Sequence, residues 1–165
     1  MRSPTDLAAA FRSSGRKLTP QRERIFRILH DNPTHPTAEA VHAQVVADMP
    51  SVSLRTVYAT LHELAEMGEL VQLDLGTGSA RFDTNVGDHH HLVCDTCGLV
   101  QDIDLDAPAF DLDDSIRPGF HVDAVQIVLR GRCAPCSDGS STIAPAARAA
   151  GTSPTPTPIK ERTHG

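Results

Sequence analysis

The stretch His89-His90-His91-Leu92-Val93-Cys94-Asp95-Thr96-Cys97-Gly98-Leu99-Val100-Gln101-Asp102 carries potential ligands for two chemically different metals within one hairpin. Read as a strand, its side chains alternate between faces, so His89 and His91 point one way and Cys94 the other. Cys94-x2-Cys97 makes a thiolate knuckle closed by Gly98, and a return strand over 99–104 is expected to set Asp102 opposite His89, on the histidine face. The hairpin therefore offers sulfur on one side and nitrogen and oxygen on the other.

A second pair, Cys133-x2-Cys136, follows after 35 intervening residues. Two knuckles supply four thiolates, the tetrahedral set of a structural zinc, and leave no open position for catalysis. The plainer alternative is four buried or redox-active cysteines. Paired spacing favours zinc where thiols stay reduced. A cytoplasmic chain is expected, because the only apolar stretch near the start, Leu7 to Phe11, is too short for a signal peptide and no run approaches a membrane span. Zinc held by Cys94, Cys97, Cys133 and Cys136 would clamp the two ends of a small domain. In small metallo-domains such a site contributes about 10–16 kcal/mol.

Upstream, the pattern is helical. Thr5 is expected to cap a helix over 6–14 ended by Gly15, and Thr19 with Pro20 opens a second that Asn32-Pro33 ends. Thr37 caps a third with Ala38, Val41 and Val45 inward, closed by Met49-Pro50. Ser53 caps a fourth over 54–67, with Val57, Tyr58, Leu61, Leu64 and Ala65 as its apolar stripe and Gly68 as its stop. Residues 69–75 alternate, 76–79 turn and 80–82 return, which is a hairpin. Helices followed by such a wing make a winged helix-turn-helix with 54–67 as recognition helix. Beyond the hairpin of the opening stretch come a helix over 107–116 and a strand over 120–131 running into Cys133. So small a sheet is expected to need both a metal and a twin from a second subunit. From Ser137 the chain is rich in Ser, Thr, Pro, Ala and Gly and is expected to be disordered. The fold class is thus α+β: a winged helix-turn-helix over 1–84, a small α/β dimerisation domain with structural zinc over 85–137, and a tail over 138–165.

Charge follows this division. The formal net charge is -6, yet residues 1–82 balance at nine basic and nine acidic side chains, whereas 83–138 hold three basic against eleven acidic. Within 11–30, Arg12, Arg16, Lys17, Arg22, Arg24 and Arg27 oppose Glu23 alone, a local excess suited to a phosphate backbone. Arg55, Thr56 and Tyr58 sit near the start of the recognition helix, where side chains reach base edges; Lys17 and Arg22 are placed for phosphate or minor groove. Read blandly, Arg55 is a solvated helix residue and Tyr58 is core.

A second constellation is His35, Asp83, His89, His91 and Asp102. Imidazole and carboxylate without sulfur suit iron, manganese or zinc. Spacing singles out His89 and His91. A histidine before Pro36 is ordinarily a loop residue, and Asp83 after Phe82 ordinarily a solvated hinge residue. If all five bind one ion, the metal fixes the angle between the halves and so the spacing of two recognition helices in a dimer.

Leu18-Thr19-Pro20-Gln21-Arg22, His35-Pro36-Thr37-Ala38, Val52-Ser53-x2-Thr56-Val57-Tyr58-x2-Leu61, Arg81-Phe82-Asp83, the run 89–98 and Cys133-x2-Cys136 together resemble the ferric uptake regulator family, in order over about residues 10–136. The resemblance implies a homodimeric, metal-dependent repressor of an operator in double-stranded DNA, with no membrane partner. It implies structural zinc at the four cysteines and regulatory Fe(II) or Mn(II) at His35, Asp83, His89, His91 and Asp102. Aspartate rather than glutamate at 83 resembles the peroxide-sensing branch, in which ferrous iron and peroxide oxidise a ligand histidine; His35 and His89 are the candidates. The alternative within the family is an iron-uptake regulator. The absence of a fifth cysteine speaks against the zinc-uptake branch. Two departures stand out: Ala59, where a further DNA contact is usual, and Val125, where a histidine of an additional metal site is usual, although Asp88 and His90 remain. From other classes, a zinc hydrolase lacks a scaffold of about 250 residues and an open pocket, and a zinc-stabilised interaction module predicts no metal-dependent DNA binding.

Overall fold

In the computed structural model, which describes residues 1–106 and 118–140, the chain runs through four helices, two paired short strands, a three-stranded sheet and a final helical turn. Helix α1 spans Pro4–Ser13, α2 Pro20–Leu29, α3 Ala38–Asp48 and α4 Leu54–Glu66. Each begins where a hydroxyl accepts from a backbone N–H three residues on: Ser3, Thr19, Thr37 and Ser53. Thr19, Thr37 and Ser53 are the expected caps. Ser3 replaces Thr5, because Pro4 fits the first helical position and Asp6 completes the first turn, so α1 starts two residues early. Helix α2 stops at Leu29, short of the expected Asn32-Pro33.

The apolar stripes of these helices meet in one core that includes Phe11, Ile25, Phe26, Leu29, Val41, Val45, Val57, Leu61 and Leu64. Each such side chain, fully buried, contributes about 1.5–3 kcal/mol. Tyr58 and Ala65 only edge this core, and Thr60 is buried instead, its hydroxyl turned back to the Thr56 carbonyl at 2.8 Å.

The wing pairs β1, Val71–Leu73, antiparallel with β2, Arg81–Asp83. The second sheet has the order β4-β3-β5, with β3 His90–Cys94, β4 Val100–Ile103 and β5 Val128–Gly131. Strand β4 pairs antiparallel with β3 and β5 runs parallel to it. Two expectations are corrected. Asp102 pairs with His91, not His89, because the turn 95–99 sets the register two residues further along. The strand into Cys133 is confined to Val128–Gly131; residues 120–127 do not join the ladder as a strand. A short helix, α5, Ala134–Ser137, closes the second knuckle. The helix expected over 107–116 and all but the first residues of the expected tail lie outside the described residues.

A second apolar cluster joins Leu73 and Leu75 of the wing to Val93, Val100 and Val128 of the sheet. The wing is thus packed on both sides, and His91 of β3 meets His35 of the loop between α2 and α3. Among the described residues, no helix is long and apolar enough to cross a membrane.

Candidate metal centres

The four cysteines converge. Cys94 ends β3, Cys97 follows in the turn, and Cys133 and Cys136 flank the start of α5, which the parallel β5 delivers beside β3. Their sulfurs all lie within 4.8 Å of one another, and Cys97 Sγ and Cys133 Sγ are 3.8 Å apart. Thiolates at about 2.3 Å from one tetrahedral ion are about 3.8 Å from each other, so the spacing fits zinc and not a disulfide. The Cys133 backbone N–H donates to Cys94 Sγ at 3.4 Å. That donor and the N–H of Cys97 hold the Cys94 thiol down at about 6, the direction a zinc ligand needs. Cys97 is raised: the Leu99 N–H pulls it down, but burial and the Cys94 and Cys133 thiols outweigh it.

The second centre gathers His35, Asp83, His89, His91 and Asp102, again within 4.8 Å. His35 comes from the loop between α2 and α3, Asp83 from the end of the wing, His89 and His91 from β3 and its approach, Asp102 from β4. His35 Nε2 lies 2.7 Å from Asp102 Oδ1 and 3.5 Å from Asp83 Oδ2. His89 Nε2 is 2.8 Å from Asp83 Oδ2 and 3.0 Å from His91 Nε2. Donors about 2.1 Å from one ion and at right angles lie about 3 Å apart, which matches these separations. With a metal bound, two carboxylates would balance the charge of one divalent cation, and the imidazoles would ligate it through nitrogen lone pairs.

Two further observations fit a metal. His35 Nε2 and Asp102 Oδ1 are buried and, close as they are, make no hydrogen bond. The opposite ring nitrogens are turned outward to carbonyls: His35 Nδ1 to Pro33 at 3.1 Å and His89 Nδ1 to Gly87 at 2.8 Å. A carbonyl there fixes the tautomer that leaves Nε2 free to ligate. His91 Nδ1 faces the Gln126 amide at 3.4 Å. The carboxylates are oriented as well: Asp83 Oδ1 accepts from Asn85 N at 2.8 Å and Asp102 Oδ2 from Asn85 Nδ2 at 3.2 Å, leaving Asp83 Oδ2 and Asp102 Oδ1 inward. Burial works against charge on Asp83, yet the His35 ring beside it, the Asn85 N–H and positive charge on His35 and His89 bring it down to about 2. Burial also opposes protonation of His35, but Asp83 and Asp102 outweigh it and its pKa is raised. For His91 burial wins and the pKa falls.

These outer partners were not foreseen. Backbone carbonyls of Pro33 and Gly87 carry no residue signature, and Asn85 and Gln126 read as ordinary polar loop residues.

On the expected DNA face, Lys17 and Thr56 line one groove with Thr19, Gln21, Arg22, Ser51 and Val52. Lys17 and Arg55 are exposed, and among the described residues neither makes an ion pair. Arg22 is tied down: its guanidinium donates to Glu63 and the Lys17 carbonyl and lies 5.3 Å over the Phe11 ring. The Tyr58 hydroxyl donates to Glu39 Oε1 at 2.7 Å.

A model of the ferric uptake regulator family matches residues 13–129. The peroxide-responsive repressor of Staphylococcus aureus is 32% identical over 133 residues, 79% of this chain and 88% of its own length. A manganese uptake regulator solved with zinc bound is 27% identical, superposes with a TM-score of 0.60 and is covered over 99% of its length by 80% of this chain. The ferric uptake regulator of Pseudomonas aeruginosa, solved with manganese, is 26% identical with a TM-score of 0.56, covering 81% of this chain and 99% of its own.

Proposed function

The chain belongs to the ferric uptake regulator family, and on that premise we propose that it is a metal-dependent DNA-binding repressor responsive to peroxide. The observation that carries the proposal is the meeting of His35, Asp83, His89, His91 and Asp102 at one point, from elements on both sides of the link after β2. We assign these five to regulatory Fe(II) or Mn(II) and Cys94, Cys97, Cys133 and Cys136 to structural zinc. Residues 1–84 then form the DNA-binding domain and 85–137 the dimerisation domain. The 32% identity to a peroxide-responsive repressor, with aspartate at 83, supports the peroxide branch.

A bound ferrous ion would supply the one-electron reduction of peroxide. The chain's own contribution is placement. Pro33 and Gly87 carbonyls hold the His35 and His89 rings with Nε2 inward, and Asn85 keeps one oxygen of each carboxylate turned in. Of the five donors, His35 alone precedes the recognition helix in sequence. Oxidation of His35 would therefore untie the helical half from the sheet. Lys17, Arg55 and Thr56 are proposed to meet the operator directly. Arg22 and Tyr58, held by Glu63 and Glu39, would reach it by exchanging those partners for DNA. A second copy is the proposed partner of the sheet face where Leu92, Leu99 and Leu129 lie exposed along one cavity. Pairing two recognition helices about 34–36 Å apart then lets both enter the major groove.

The test uses duplex DNA selected by the manganese-loaded protein. With Fe(II), peroxide is expected to abolish retardation and to add one oxygen atom to the peptide holding His35 or His89. With Mn(II), neither change is expected. Iron-dependent binding without histidine oxidation would assign the chain to iron-uptake control. Metal-stimulated hydrolysis without metal-dependent DNA binding would contradict a repressor altogether.

A further inference from the structure

Two arginines fasten the wing to the sheet, and they differ in what else they touch. Arg81, in β2, donates through Nη2 to the Gly98 carbonyl at 2.8 Å and through Nη1 to the His35 carbonyl at 3.3 Å. Arg130, in β5, donates to Asp95 Oδ1 at 2.8 Å and to the Leu75 carbonyl. Both therefore join the knuckle at 94–98 to the wing, but only Arg81 also reaches a residue of the five-donor centre.

Each end of the Arg81 bridge is conformationally special. Gly98 closes the knuckle, donating to the Cys94 carbonyl at 2.9 Å from a left-handed backbone at φ +72. His35 also stands in the left-handed region, at φ +47, which a residue with a side chain adopts only when its surroundings hold it there. Among those holds are the Pro33 carbonyl on His35 Nδ1 at 3.1 Å, the Phe82 N–H on the Pro36 carbonyl at 3.0 Å, and Arg81 on the His35 carbonyl. A guanidinium is suited to this task because its fixed fork of donors spans two carbonyls, whereas an ammonium offers one compact point of charge.

We propose that Arg81 is the positioning residue that couples the four-thiolate centre to the regulatory centre, by holding the His35 carbonyl against that of Gly98. This rests on His35 being a regulatory-metal ligand. Disturbance of the knuckle then reaches the regulatory metal through Arg81, and by linkage the regulatory metal steadies the knuckle.

Mn(II) affinity is measured calorimetrically on the full, zinc-loaded chain for wild type, Arg81→Ala, Arg81→Lys, Gly98→Ala, the Arg81→Ala/Gly98→Ala double variant, Arg130→Ala and His35→Ala. Zinc content and melting temperature are followed in parallel. Arg81→Ala is expected to keep its zinc and to bind Mn(II) roughly 10- to 100-fold more weakly, the range for loss of an outer partner. Arg81→Lys is expected to rescue little of this, and serves in the same cycle with Gly98→Ala if the alanine variant does not fold. Gly98→Ala should weaken Mn(II) alone and add nothing in the Arg81→Ala background. Arg130→Ala should stay within about twofold of wild type. The coupling is overturned if Arg81→Ala and Arg81→Lys bind Mn(II) like wild type while His35→Ala does not, or if the Arg81 and Gly98 effects simply add. If His35→Ala itself binds Mn(II) like wild type, the ligand assignment fails first and the coupling falls with it.

Discussion

His35 sits at a left-handed backbone position, almost wholly buried, with its Nε2 facing two carboxylates. Nothing in its immediate sequence announces this. A histidine before proline is ordinarily a loop residue, and only its convergence with Asp83, His89, His91 and Asp102 gives it a role. The convergence of His89 and His91 is legible from parity, since period two puts them on one side although His89 lies just before β3. The register of Asp102 is not, because it depends on the turn 95–99. The outer partners were hidden for a different reason: two are main-chain carbonyls, and a carbonyl's direction is fixed by the fold rather than by residue type. The electrostatics at this scale give a pH prediction for the metal-free chain. Asp83 is depressed from 3.8 to about 2, so its contribution to stability is complete above 3.8 and is lost as pH falls through that value toward 2. Urea midpoints measured across this range should drop more steeply for wild type than for Asp83→Asn; parallel curves would contradict the assignment of that shift to the folded state.

At the scale of elements, helix starts were the most legible feature, because capping is a local contract between a hydroxyl and an N–H three residues away. Thr19, Thr37 and Ser53 follow it, and Ser3 displaces Thr5 because Pro4 and Asp6 complete the better first turn. The strand before Cys133 was less legible. Alternation at Val125, Ile127 and Leu129 reads as a long strand, but alternation describes faces and does not supply a partner; of the expected strand over 120–131, Val128 to Gly131 alone pair with β3. Helix α4 presents Arg55 and Thr56 at its start, and Arg55 has no ion pair among the described residues. Arg55→Ala should weaken operator binding by about 1–3 kcal/mol if it reads a base and leave the melting temperature unchanged. Fluorescence anisotropy on selected DNA checks this. A uniform loss on all duplexes with a shallower salt dependence would make Arg55 a phosphate contact instead.

Across the whole molecule, the division proposed near residue 84 does not interrupt the packing. Leu73 and Leu75 of the wing share a cluster with Val93 and Val100 of the sheet, and Arg81 and Arg130 bridge the same seam. Charge composition suggests two halves, but side chains reaching across a seam leave no periodic trace in sequence. Because the knuckles hold the sheet's ends together, stripping zinc with a chelator under reducing conditions should lower the melting temperature sharply and dissociate the proposed dimer, as followed by scanning calorimetry and sedimentation; an unchanged melt would remove zinc from the account. The central claim is that one ion joins the helical half to the sheet and thereby controls DNA binding. Its most direct measurement is titration of selected duplex DNA with zinc-loaded protein, with and without Mn(II), for wild type and His91→Ala. Tight binding only for wild type with Mn(II), and none for His91→Ala at any Mn(II) concentration, is the predicted result. Equal DNA affinity with and without Mn(II), or a His91→Ala variant that still responds to it, would contradict the claim.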